Sequence, residues 1–122
     1  IPYMVEQKRG CIICTSSILG VRGGSCATAC SATKGAVIAF VKGLAKELGP
    51  SGIRVNAVAP GAVDTDMLSC FTAEDKAAMA ENSALCRIGR PEDIAGVVAF
   101  LASDAASFVT GQILGADGGM II

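Results

Sequence analysis

The sequence predicts an α/β fold in which helices pack on a parallel sheet of about three strands, and three observations carry that reading. Residues 11–17 form a short, continuous apolar run of the kind found in strands buried on both faces of a parallel sheet. From about Ala29 to Leu48 the apolar residues Val37, Phe40, Val41, Leu44 and Leu48 recur at helical spacing. Residues 53–59 form a second apolar run that Pro60-Gly61 ends. Strand, long helix and strand in that order make one right-handed β-α-β unit.

The remaining elements follow from caps and breakers. Gly49-Pro50 stops the long helix. Thr72-Ala73-Glu74-Asp75 reads as an N-cap with acidic residues in the first turn, opening a short helix to about Asn82. Pro91 occupies a first-turn position, and Glu92, Asp93, Ile94, Val97, Val98 and Leu101 continue an amphipathic helix to about Ser103. Gln112 to Gly115 gives the last strand. Gly20-Val21-Arg22-Gly23-Gly24 reads as a flexible loop. No repeat, low-complexity tract or internal boundary divides the chain, so residues 1–122 are treated as one domain.

Composition narrows the function classes. At 122 residues and 52% hydrophobic content the chain has ample material for a core. A net charge of -1 leaves no electrostatic footprint for nucleic acid or an anionic membrane. No apolar stretch approaches the roughly 18 residues of a membrane span, and no signal-peptide pattern opens the chain, so the cytoplasm is the expected compartment. Cys11-Ile12-Ile13-Cys14 is formally C-x-x-C, but residues three apart on a strand point to opposite faces. With no histidine and no second such pair, no metal site is expected, and the six cysteines read as buried free thiols.

The chemistry is concentrated around Cys30-Ser31-Ala32-Thr33-Lys34. Ser17 stands thirteen residues before Cys30 and Lys34 four after it. Serine, thirteen, tyrosine, four, lysine is the spacing of the short-chain dehydrogenase/reductase family, and the tyrosine position here holds Cys30. Three further segments, in the family's order, are similar to its motifs: Ile53 to Thr65 with Pro60-Gly61, Gly89-Arg90-Pro91-Glu92-Asp93-Ile94, and Gly111 to Gly119. Within the family the sequence most resembles bacterial 3-oxoacyl-acyl-carrier-protein reductases. The glycine-rich phosphate turn and ribose selector of the family's first half do not appear, because Gly20 to Gly24 lacks the G-x-G-x-x-G pattern. The resemblance therefore implies a single partial domain, the C-terminal half of a Rossmann-like doubly wound parallel sheet.

It also implies residue roles. Ser17 would hold the substrate carbonyl, Lys34 would bind the nicotinamide ribose and assist the proton donor, and Pro60, Gly61, Val63 and Thr65 would line the nicotinamide end. Asn56 would be structural, and Asp117-Gly118-Gly119 a turn at a subunit interface. The helix after Thr72 would be a mobile cover on the substrate side. NAD or NADP is the implied cofactor, with negligible binding by this chain alone, because the adenosine and pyrophosphate contacts belong to the other half. Cys30 retains an ionisable proton, but a thiol ends one bond past Cβ whereas a phenol reaches a ring further. Proton transfer needs contact of roughly 2.6–3.2 Å or one bridging water, and its loss costs about 100 to 10,000-fold. Tyr3, the only tyrosine, precedes the first strand and is not expected to substitute.

Three functions are compatible with this reading. An NAD(P)-dependent oxidoreductase acting on a ketone or secondary alcohol explains the motifs best. A non-catalytic interaction module or truncated pseudoenzyme is favoured by Cys30, and a redox-responsive protein centred on Cys30 would require a reactive thiol there. Strand 11–17 would lack its neighbour from the other half, so the chain is expected to self-associate along that edge or to need a complementary N-terminal segment.

Overall fold

A computed structural model describes all of residues 1–122. Helix α1 (Pro2–Gln7) leads into strand β1 (Gly10–Thr15), followed by helices α2 (Ile18–Arg22) and α3 (Thr28–Leu48) and strand β2 (Ile53–Pro60). Helices α4 (Ala73–Glu81) and α5 (Pro91–Ala102) precede strand β3 (Ile113–Ala116). The strands form one parallel sheet in the order β1-β2-β3, with Ile13 opposite Asn56 and Val58 opposite Leu114. This is the α/β arrangement expected from the apolar runs.

The central strand explains the packing. Ile53, Val55 and Ala57 alternate onto one face, where they meet Val41 and Ala45 of α3 in a buried cluster. Each fully buried aliphatic side chain of this kind contributes about 1.5–3 kcal/mol relative to exposure. The alternate residues carry polar ties. Buried Asn56 donates from Nδ2 to the Val109 carbonyl at 2.8 Å and accepts from the Gln112 N–H at 3.0 Å. Arg54 donates to the carbonyls of Leu101 at 2.7 Å and Ser103 at 3.2 Å, satisfying groups at the carboxyl end of α5 that the helix itself leaves open. Both ties fasten the segment between α5 and β3 to β2.

Three local expectations are corrected. Residues 20–24 are not a free loop, because α2 runs through Ile18–Arg22: Ser17 caps its start, Ile18 is buried, and the helix packs along α3. The strand ends at Thr15, two residues before Ser17. Of the six thiols, Cys11 and Cys14 are partly buried, while Cys26, Cys30, Cys70 and Cys86 are exposed. Those four lie outside the sheet, in helix ends and connections that nothing covers. Helix α1 carries no apolar period that announces it; Pro2 in its first turn and Lys8 in a left-handed conformation at its end define it locally.

Candidate active site

The site grows from the carboxyl end of β1. The ladder with β2 is extended by Ser16, whose N–H donates to the Val58 carbonyl at 2.8 Å. Strand alternation turns the Ser16 side chain inward, and it is buried. Its hydroxyl donates to the carbonyl of Lys34 at 2.9 Å, pinning the second turn of α3 to the end of β1. In return the Lys34 ammonium donates to the Thr15 carbonyl at 3.0 Å. Gly20 completes the fit, since a Cβ there would lie 2.6 Å from the Lys34 carbonyl carbon. Lys34 is thus fixed at backbone and ammonium alike, and Ser17 follows Thr15 by two residues.

Ser17 accepts the Leu19 N–H at 3.1 Å as the N-cap of α2. A serine hydroxyl that accepts one bond still has its own proton to donate. Cys30 lies one turn before Lys34, on the same side of α3, and is exposed. The expected trio is therefore carried by the end of β1 and the first turns of α3, with Lys34 bound directly to the strand and Cys30 turned to solvent. Tyr3 belongs to α1 and is 79% exposed.

The loop after β2 leaves the sheet at the same edge, because β1 and β2 are parallel and their carboxyl ends are in register. Pro60 ends the strand, and the Gly61 N–H donates to the Ala116 carbonyl at 3.2 Å. Val63 bridges to Gly89, with the Asp64 N–H donating to the Gly89 carbonyl and the Gly89 N–H to the Ala62 carbonyl, each at 2.9 Å. Thr65 is exposed and its hydroxyl faces the Val63 carbonyl at 3.5 Å. Pro60, Gly61 and Val63 are held by the sheet and by residue 89, while Thr65 is not. A flat ligand group seated across this edge would meet backbone from both strands and the Lys34 ammonium.

The electrostatics near the loop come from Asp93. Arg87 grips its carboxylate in a two-pronged contact at 2.6 and 3.1 Å, and the Arg90 N–H donates to the same group at 2.7 Å as α5 begins. These bonds, that of Arg87 first, hold the Asp93 carboxyl well below the usual carboxylate range. The same pairing pushes the Arg87 guanidinium up. Sequence reasoning reads Ser16 as structural, the part it plays in the tie to Lys34, and misses the Thr15 carbonyl. A backbone acceptor carries no residue signature, but Ser16 had one, as a polar residue at an inward position of an apolar strand.

With the geometry in place, comparison with known proteins is direct. A family model described as enoyl-(acyl carrier protein) reductase matches residues 1–121. An uncharacterized oxidoreductase of Bacillus subtilis is 54% identical over 119 residues, covering 98% of this chain and 49% of the relative. The 3-oxoacyl-[acyl-carrier-protein] reductase of Thermotoga maritima is 43% identical over 122 residues, covering 100% of this chain and 50% of its own. A crystal structure of a Brucella melitensis 3-oxoacyl-[acyl-carrier protein] reductase with bound NAD superposes with a TM-score of 0.86 at 43% identity, covering 97% of this chain and 43% of that one. The chain spans about half the length of the curated relatives it matches.

Proposed function

The chain belongs to the short-chain dehydrogenase/reductase family, and from that premise we propose that it supplies the substrate and nicotinamide side of an NAD(P)-dependent oxidoreductase of the cytoplasm. The reaction is hydride transfer between the cofactor and a ketone or secondary alcohol, with 3-oxoacyl thioesters as the substrate class. One observation carries the reading most: the Lys34 ammonium is held on the carbonyl of Thr15, two residues before Ser17, at 3.0 Å and at the sheet edge where the Pro60-Gly61 loop emerges.

NAD or NADP, when bound, supplies or takes the hydride. The protein's own share is positioning and proton handling. Ser17 donates its hydroxyl proton toward the substrate oxygen, Lys34 holds the nicotinamide ribose, and Pro60, Gly61, Val63 and Thr65 exclude water from the nicotinamide face. Cys30 stands where the proton donor belongs. Its short, exposed side chain makes direct transfer to a carbonyl oxygen slow, so the chain supports weak turnover at best. The adenosine and pyrophosphate contacts must come from elsewhere in the working enzyme, and this chain alone binds the dinucleotide negligibly. The unpaired outer edge of β1 is the place for a complementary N-terminal strand or, failing one, for a second copy of the chain.

The exposed thiol at Cys30 supports a second reading, a non-catalytic module that keeps the family's interaction surfaces. NAD(P)H oxidation by the native gene product, followed with a 3-oxoacyl thioester, separates the two. Slow turnover that disappears in Lys34→Ala is expected. No turnover in either the native protein or Cys30→Tyr would favour the interaction module.

A further inference from the structure

Residues 62–82 form an arm that stands away from the sheet. Helix α4 buries no residue and makes no substantial contact with another helix or strand. Met67 before it is 83% exposed. Along its length the arm's one ion pair is Lys76 with Asp64 at 3.6 Å, between partly exposed side chains. A pair of that kind contributes little on its own. The position of the arm must therefore be set at its two roots; Ala62 and Asp64 bond to Gly89 beyond the exit, and both roots also reach one turn, Asp117-Gly118-Gly119.

At the entry root, the Gly61 N–H donates to the Ala116 carbonyl at 3.2 Å, and the backbone packs so closely that a Cβ at Gly61 would lie 2.9 Å from Asp117 Cα. At the exit root, the carbonyl of Gly118 accepts two bonds, from Ser83 Oγ at 2.9 Å and from the Leu85 N–H at 3.1 Å. Ser83, just past the arm, is 2% exposed, in contrast to the arm itself. Gly118 adopts φ 66°, a left-handed conformation open to glycine, and a Cβ there would run into Ser83 Oγ. The turn itself is folded by the Asp117 carboxylate, which accepts the N–H of Gly119 and of Ile121, each at 3.0 Å.

We propose that Asp117 is a positioning residue that clips both roots of the arm to the end of β3, so that the nicotinamide-side loop at Gly61 and the exit of α4 at Ser83 move as one unit. Asp117 contacts neither substrate nor cofactor in this assignment. It acts through Gly118, whose carbonyl faces Ser83 only while the carboxylate keeps the turn closed. Describing the arm as a cover over the substrate rests on the oxidoreductase reading; the anchoring does not, and it can be measured without cofactor or substrate.

The test is amide hydrogen exchange on the full chain, compared among the native sequence, Asp117→Ala, Asp117→Asn and Ser83→Ala. Asp117→Ala is expected to raise exchange about tenfold or more at residues 61–65 and at 83–89 together, although its carboxylate bonds only to residues 119 and 121. Asp117→Asn, which keeps one acceptor oxygen, falls between. Ser83→Ala raises exchange at 83–89 alone. In all three variants the amides of β1 and β2 keep native protection. Faster exchange confined to residues 118–122 in Asp117→Ala would overturn the clip, as would a uniform rise across the whole chain. If Asp117→Ala does not fold, unchanged exchange at 83–89 in Ser83→Ala overturns it equally.

Discussion

The limit proposed for this chain's chemistry rests on Cys30 and its surroundings. Cys30 sits in the first turn of α3, exposed, while four residues on Lys34 is pinned by the Ser16 hydroxyl and the Thr15 carbonyl. The lysine is preorganised and the group beside it is short. The spacing of Ser17, Cys30 and Lys34 was legible in the sequence because it depends on residue identity alone. The clamp on Lys34 was not, since its ammonium binds a backbone carbonyl, which carries no residue signature. Asp93 gives a prediction at the same scale. Its carboxyl is held below its ordinary range, chiefly by Arg87, so the pairing stabilises the fold in full above the unfolded-state value of about 4 and is lost as pH falls from there. Denaturant midpoints measured at pH 6 and pH 3 are expected to differ less in Asp93→Asn than in the native sequence. An equal difference in both would show that Asp93 does not contribute to the acid sensitivity.

Elements with strong punctuation were legible and those without it were not. The helix over residues 73–81 is capped as its sequence announces: Thr72 Oγ accepts the Asp75 N–H at 3.1 Å, and Asp75 accepts the Thr72 N–H at 3.0 Å. Because α4 has little tertiary support, its cap matters to it more than a cap does to a packed helix. Thr72→Ala is expected to lower the stability of α4 by about 1 kcal/mol, read as faster amide exchange within residues 73–81 with the sheet unaffected. Protection unchanged in that helix would show that something other than the cap holds it. Helix α2 reads as a loop because Gly20, Gly23 and Gly24 dominate residues 20–24. Two of those glycines follow the helix, and Gly20 serves the close approach to Lys34. Composition cannot distinguish a glycine that loosens the chain from one that lets two segments touch.

For the molecule as a whole, the three strands and the long helix were readable because their apolar patterns reflect the sheet that buries them. The buried cluster of Val41, Ala45, Ile53, Val55 and Ala57 realises that pattern. What the sequence left unread is how the carboxyl edge is assembled, since those contacts join residues distant in the chain, largely through backbone groups, as between Gly61 and Ala116. The same architecture leaves β1 with a partner on one side only. Sedimentation velocity on the 122-residue chain is expected to show self-association that a charged substitution in β1, such as Ile13→Lys, reduces. A single monomeric boundary at all concentrations would contradict that expectation. The central claim, that Cys30 occupies the proton-donor position of an oxidoreductase site, is tested most directly by comparing NAD(P)H-dependent reduction of a 3-oxoacyl thioester by the native gene product and by Cys30→Tyr. A rise in kcat of about 100 to 10,000-fold is expected in the variant, and a native rate equal to or above that of Cys30→Tyr, with measurable turnover in both, would contradict that assignment.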